Sequence, residues 1–329
     1  MSISAVARHA ELSVSTVSRF LRGELRVSAR TEERIRAAME ATGYRARPQP
    51  GRTVALIVPE LSNPYFSQLA QEFADVAAGR DVEVQILVSG GHEARERSLL
   101  GKAVASSEVS AVVFVSMSGS AEVLETVPRN TPLVVFDERM EDDAGATRPF
   151  AGADNLGGAY QATAYLLSNG HRRIAHLGGP GALDSARQRL RGYRQALQDH
   201  GLAIDPHLVF EGPYSEAFGA SVLPRLLRLR DRPTAVFAGS DIMAVGLAAA
   251  APMHGLSIPA DLSLIGFDGI EVGSWITPRL STVVQPYEQL AQRALDHVEA
   301  AWTGRTVNPG LLPMQVRIAE SVGRPPAEG

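Results

Sequence analysis

From residue 53 onward short apolar runs alternate with amphipathic stretches, and few folds tolerate that pattern. The runs are VALIVPEL (54–61), VEVQILVS (82–89), SAVVFVSM (110–117), PLVVFDE (132–138), RIAHLGG (173–179), TAVFAGS (234–240) and LSLIGFD (262–268). Apolar runs of this length read as strands covered on both faces. Between most of them lies a segment with helical spacing, at 66–78, 93–105, 157–168, 185–199 and 284–302. Buried strands separated by helices predict an α/β fold with doubly wound parallel sheets and right-handed crossovers. The roughly 275 residues involved are more than one such sheet comfortably holds, so two similar lobes with a cleft between them are expected. Ligands of such sheets lie beyond the carboxyl ends of the strands, which makes strand-end residues the candidates for a site.

The first 52 residues differ in pattern and in charge. They hold ten arginines against five glutamates, whereas the remainder carries 22 basic and 31 acidic residues. A basic end on an acidic body suits contact of that end alone with a polyanion; a solvated helical surface would show the same charge. Ser2 can cap a helix with Ile3, Val6, Ala7 and Ala10 on one face, and Glu11-Leu12-Ser13 then forms a tight turn. A second helix, Val14 to Leu21, turns Val17, Phe20 and Leu21 inward, and Gly23 ends it. Ser28 caps a third helix that runs to Met39–Ala41 and stops at Gly43. Three short helices around one small core make a helix-turn-helix arrangement. The outward side of the second helix carries Ser15, Thr16, Ser18 and Arg19. Its first turn would meet base edges in a major groove, with the fork of Arg19 matched to guanine, while Ser13, Thr16 and Ser18 suit phosphates. A surface helix rich in small polar residues is the plain alternative.

The run VARHAELSVSTVSRFLRG, followed by VSARTEERIRAAMEATGY, resembles the head of the LacI/GalR (lac repressor) family. The shared positions include Val6, Ala7, Ala10, Ser13, Thr16, Val17, Ser18, Arg19, Gly23, Val27, Ser28, Thr31, Gly43 and Tyr44. The resemblance implies that Val14 and Ser15 are the variable base-reading pair, that Arg19 is the fixed one, and that Arg26 touches the DNA backbone. Glu11 replaces the usual glycine and Arg22 the usual asparagine. After Tyr44 the family continues with about fifteen residues containing a leucine that wedges into the minor groove. Here only Arg45-Ala46-Arg47-Pro48-Gln49-Pro50-Gly51-Arg52 precede the first strand, with no leucine and two prolines opposed to a helix. Wedge-driven kinking is therefore not expected, and little central bending of the operator is. The segment either lays its arginines on phosphates or serves as a plain tether.

The resemblance extends through the body, in VPELSNPYF, the Asp154-Asn155 and Gly158 positions, GHRRIAHLGGP, SARQRLRGY, PTAVFAGSDIMAVG, SIPADLSLIGFDG and TPRLSTVVQP. It implies a periplasmic-binding-protein-like pair of lobes, a homodimer, and a sugar or other small metabolite in the cleft. Segments 66–78 and 82–89 are implied as dimer surfaces. Arg189 aligns with the family's effector-gripping arginine, whose fork can hold two hydroxyls or a carboxylate. Asp268, ending LIGFD, can accept from adjacent hydroxyls, and Asp154, Ser240 and Asp241 end other strands. Tyr214 takes an aromatic position of the pocket and Tyr287 is a candidate to line it. Tyr65 and Phe66 can pack on a sugar ring or belong to the core. Asp241, before IMAVG, reads better as a helix N-cap, and Pro252 is expected to bend the last turn of that helix.

Nothing suggests catalysis. The sole lysine, Lys102 in LLGKAV, lacks the first glycine and the hydroxyl of a P-loop. Gly178-Gly179-Pro180-Gly181 reads as a turn, His92-Glu93 is not followed by a second histidine at metalloprotease spacing, and Ser116 to Ser120 is no nucleophile elbow. The chain has no cysteine, no secretory leader and no apolar run of membrane length, so a cytoplasmic protein without cofactor is expected. The reading is a helix-turn-helix head at 1–44, a basic linker at 45–52 and a two-lobed effector and dimerisation domain at 53–329. An alternative is a cytosolic small-molecule-binding protein whose DNA binding is weak because the linker is short.

Overall fold

A computed structural model describes residues 3–21, 25, 27–42, 52–140, 148–308 and 310–326. The expectations for Ser2, Arg22, Gly23, Arg26, Gly43, Tyr44 and residues 45–51 lie outside the described residues. The chain forms two compact units, Met1–Thr53 with Ser107–Ser110, and Val54–Ser106 with Ala111–Gly329.

The first unit holds α1 (Ile3–His9), α2 (Val14–Leu21) and α3 (Ala29–Thr42). Val6, Val17 and Ile35 are fully buried at its centre, with Ala7, Ala10 and Ala38 beside them and Leu12, Phe20 and Met39 at the edge. The Ser13 hydroxyl caps α2 by accepting the Thr16 N–H at 3.0 Å, and Ser28 does the same for Thr31 at 3.3 Å. Arg34 donates to the Ala10 carbonyl at 2.6 Å, tying α3 to the end of α1.

Glu11 turns the chain between α1 and α2 with φ 53°, a left-handed conformation that suits glycine. A side chain there costs about 1 kcal/mol, and the exposed Glu11–Arg34 pair at 3.1 Å offsets little of it. Glu11→Gly should therefore stabilise the head by about 0.5–1 kcal/mol. Slower amide exchange at Val17 and Ile35 in the full chain is the expected sign, and faster exchange would refute it.

The second unit begins with β1 (Thr53–Val58), α4 (Pro64–Ala78), β2 (Glu83–Val88), α5 (Glu93–Ala105), β3 (Ala111–Phe114), α6 (Glu122–Glu125), β4 (Leu133–Phe136) and β5 (Phe150–Ala151). It continues with α7 (Asn155–Ser168), β6 (Ile174–Gly178), α8 (Asp184–Asp199), β7 (Val209–Glu211), α9 (Glu216–Leu227) and β8 (Ala235–Ala238). Then follow α10 (Asp241–Ala250), β9 (Ser263–Asp268), α11 (Val272–Trp275), β10 (Ser281–Val284), α12 (Tyr287–Thr303) and β11 (Gln315–Arg317). One sheet runs β2-β1-β3-β4-β5 and the other β11-β10-β9-β8-β6-β7. The pairs β1/β3, β3/β4 and β4/β5 are parallel, as are β10/β9, β9/β8, β8/β6 and β6/β7, and β11 joins its neighbour β10 antiparallel.

Every residue of β1, β3, β4, β6, β8 and β9 is buried, with helices on both faces, whereas β2, expected to be covered in the same way, lies at a sheet edge and is largely exposed. On α4, Asn63 accepts the Tyr65 N–H, Pro64 occupies the first position, and Phe66, Leu69, Phe73 and Ala77 face the core at helical spacing. The chain passes between lobes three times, after β5, after β10 and after α12. Consequently α12 packs on α4, β4 and β5 of the first lobe although it follows nearly all of the second. In the second lobe α9 and α10 lie so close that a Cβ on Gly219 would stand 2.0 Å from the Met243 carbonyl, and one on Gly246 2.0 Å from that of Glu216. Helix α10 gives way at Ala251 to a 3-10 turn containing Pro252, the predicted disturbance of its end.

Candidate functional site

Helix α2 presents Val14, Ser15 and Arg19 to solvent, with Thr16 and Ser18 partly covered and Val17 buried beneath them. The spacing of Ser15, Ser18 and Arg19 puts them on one face. Val14 is 45% exposed, which is unusual for a valine in so small a core and leaves its methyls free for an apolar contact. The Ser13 hydroxyl lies 2.8 Å from that of Ser15 and 2.7 Å from that of Thr16, so the cap also orders the side chains of the first turn.

In the second unit the strand ends of the two lobes face each other across a narrow cleft. Six of the residues predicted for it, Tyr65, Phe66, Arg189, Tyr214, Ser240 and Asp268, line it together. Arg189 is 4% exposed and reaches three acceptors: its Nε donates to Asn155 Oδ1 at 2.8 Å, and its Nη1 to the Gly239 carbonyl and towards Asp268 Oδ1 at 3.3 Å. The guanidinium also lies 4.0 Å from the centre of the Phe267 ring. Burial alone would favour its neutral form, but Tyr214, Asp268 and Asp137 hold the charged form above its ordinary range. Burial pushes the Asp268 carboxyl up to about 6, against the pull of Arg189 and of the Ser240 hydroxyl.

Tyr65 and Phe66 belong to the first lobe's core, edge to face at 5.1 Å, and also border the cleft. Tyr287 stands behind Tyr65 at 5.9 Å and donates its hydroxyl to the Asp268 carbonyl at 3.0 Å, supporting the wall from outside. Asp154 does not line this cleft. It caps α7 by accepting the Gly157 N–H at 2.9 Å and lines an adjoining cavity that shares Asp137 and Ser185 with the first. The expectation for Asp241 needs correction, since Ser240 occupies the N-cap position of α10. The Asp241 carboxyl instead accepts the N–H groups of Gly269 and Ile270 at 2.8 and 2.9 Å and the Thr282 hydroxyl at 2.6 Å. It thereby holds the turn that follows Asp268, and its burial pushes its own pKa well up.

Sequence reasoning missed two residues at the end of β4. Asp137 is buried with φ 65°, mirroring Asp268 with φ 111° at the end of β9; such backbone costs of order 1–3 kcal/mol and needs surroundings that enforce it. Asp137 Oδ1 and the facing Tyr65 hydroxyl are both buried without a well-formed hydrogen bond, and burial raises both groups. Glu138 accepts from the N–H groups of Asp184 and Ser185 and from the Ser185 hydroxyl. Burial pushes it up to about 7. Both residues directly follow an apolar run, so the strand-end rule that selected Asp268 would have selected them.

A carboxyl whose pKa is raised on folding binds protons in the folded state that the unfolded chain has lost. Its contribution is full below the unfolded value and disappears as pH rises through the folded one. For Glu138 the window runs from 4.5 to about 7. Glu138→Gln removes that titration. The variant should gain stability relative to the parent by about 1 kcal/mol per pH unit across the window. Urea unfolding of both proteins at pH 5, 6 and 7 measures this, and parallel pH profiles would refute it.

Residues 2–47 match the family model described as "Bacterial regulatory proteins, lacI family", and residues 163–321 match a "Periplasmic binding protein-like domain". Over 297 residues the chain is 30% identical to the HTH-type transcriptional repressor CytR of Escherichia coli (strain K12), spanning 88% of this chain and 86% of that one. This chain belongs to the lacI family. The lacI-family assignment brings a DNA-binding domain and the role of a transcriptional regulator. Among solved structures, the lac repressor dimer bound to operator and the anti-inducer ONPF is 25% identical with a TM-score of 0.76, covering 98% of this chain and 99% of that one. A transcriptional regulator CelR–cellobiose complex is 28% identical with a TM-score of 0.71 over the same shares. The doubly wound two-lobed body and helix-turn-helix head expected of the sequence are thus the family's architecture.

Proposed function

We propose that this lacI-family regulator is a cytoplasmic repressor that reads a near-palindromic operator as a homodimer and responds to a neutral sugar or similar polyhydroxylated metabolite. The observation that carries the ligand class is the strand-end constellation of Arg189, Asp268 and Asp137 beside Tyr65, Phe66 and Tyr214. Fixed acceptors and one guanidinium suit vicinal hydroxyls, and aromatic faces suit the C–H side of a sugar ring. A related regulator solved with cellobiose agrees with that chemistry. In the head, Val14, Ser15 and Arg19 would read bases, while Ser13, Thr16, Ser18 and Arg26 would meet phosphates. We divide the chain into head 1–44, linker 45–52 and body 53–329.

Two exposed surfaces support dimerisation. Strand β2 is an edge strand with Ile86 exposed, and α9 and α10 share an apolar groove beside Met253, which is 85% exposed. No helix among the described residues is long and apolar enough to cross a membrane. The test is selection of sheared genomic DNA by the purified full-length protein near physiological salt. Enrichment of one palindromic site, released or tightened by a sugar from the adjacent operon's substrates, supports the reading. Sequence-blind, salt-sensitive binding alone would overturn it in favour of a ligand-binding protein with a weakened head.

A further inference from the structure

Glu138 belongs to the first lobe, yet the hydrogen bonds its carboxylate accepts all come from the second. It meets the first turn of α8, taking the backbone N–H groups of Asp184 and Ser185 and, at 2.6 Å, the Ser185 hydroxyl. Glu138 is 3% exposed and Ser185 7%. A helix start offers unpaired N–H groups and a partial positive charge, which is where an anionic ligand would be bound. Here the protein supplies the acceptor itself, from the opposite lobe. Leu183, the N-cap residue of α8, makes no side-chain cap of its own, so Glu138 does that work across the cleft. Four residues beyond Ser185 along α8, on the same face, stands Arg189.

We infer that Glu138 is a positioning residue that latches the two lobes together without ligand, acting as a built-in hydrogen-bond acceptor at the start of α8 and so fixing Ser185 and Arg189 in the cleft. The inference rests on the reading of the cavity as the effector cleft only for its consequence; the latch itself is a property of the unliganded chain. It has a specificity corollary. The donors at the start of α8 are already taken, so an effector carboxylate or phosphate finds no vacancy there and meets a buried carboxylate. The effector instead shifts lobe closure by the difference in its affinity for latched and unlatched states. Asp137 and Tyr214 lie near the latch, Asp184 is paired with Arg187 at 3.3 Å, and Arg189 borders the same cleft.

The absence of cysteine makes the test direct. Spin labels on Lys102→Cys in the first lobe and Arg228→Cys in the second, both exposed positions, report the interlobe distance in full-length protein diluted with unlabelled chain. The parent should give one narrow distance. Glu138→Ala should give a longer and broader distribution and at least tenfold faster amide exchange at Asp184 and Ser185, with the middle of α8 unchanged. Glu138→Gln should restore both, because its amide oxygen still accepts the two backbone N–H groups and its amide nitrogen can donate to Ser185. An alanine variant with the parent's distance and exchange overturns the latch. Should Glu138→Ala fail to fold, Ser185→Ala must move both readouts in the same direction, and unchanged values there overturn the inference equally. No ligand enters these measurements, so a cleft that bound no sugar would leave their outcome untouched.

Discussion

Arg189→Ala is expected to cost the body about 3–5 kcal/mol, read as a lower urea midpoint of the ligand-free protein. The loss comes from what stays behind. Asp268 keeps its burial and loses its cation, while Asn155 Oδ1 and the Gly239 carbonyl lose their donors in a space that water scarcely enters. Arg189→Lys should recover little, since one ammonium cannot reach three acceptors that lie in different directions. Adding Asp268→Asn to the alanine variant removes the stranded charge and should return part of the loss, which gives the pair a measurable coupling. A single-variant effect below about 1 kcal/mol would mean that the pair is not sustained by the fold in this form.

Arg19→Ala should lower affinity for the selected operator by about 1–3 kcal/mol per head, and so by roughly 2–6 kcal/mol on a palindrome read twice. Its guanidinium is exposed on α2, and the backbone of that helix is anchored independently by Val17 and by the Ser13 cap. The head should therefore fold normally. Binding to unrelated DNA should fall far less, because a base contact carries discrimination and a phosphate contact carries general affinity. Titration of operator and scrambled duplexes at the same salt separates the two. Equal losses on both would reassign Arg19 to the DNA backbone.

The long elements were legible because burial on both faces leaves a simple trace. TVALIV, AVVF, LVVF and SLIGFD admit only apolar or small residues at nearly every position, apart from a terminal polar one, and the helices between them keep their spacing. Shorter pieces left none. Strands β5 and β7 span two and three residues, too few for a period to show, and α9 is interrupted in sequence by Gly219 and Pro224. The site divides the same way. Arg189 and Asp268 could be named from the family pattern; the strand-end position of Glu138 was legible too, but its role was not, since its partners are backbone N–H groups 46 and 47 residues away. The expectation for Asp241 fails for a related reason. An aspartate before a helix looks like a cap in sequence, but here the turn after β9 competes for the same carboxylate and wins with three hydrogen bonds, one of them helped by Thr282 of β10.

The late position of α12 has a consequence for how the chain is made. All five strands of the first lobe lie before residue 152, yet the helix that covers α4, β4 and β5 begins at Tyr287. At ribosomal speeds that interval lasts roughly 10 s or more. Throughout it the nascent first sheet displays the apolar face that Leu290, Ala294 and Val298 will later close. The second lobe is thus synthesised almost whole while the first is still open, and the arrival of α12, rather than emergence of the first lobe's strands, sets the moment at which that lobe can close.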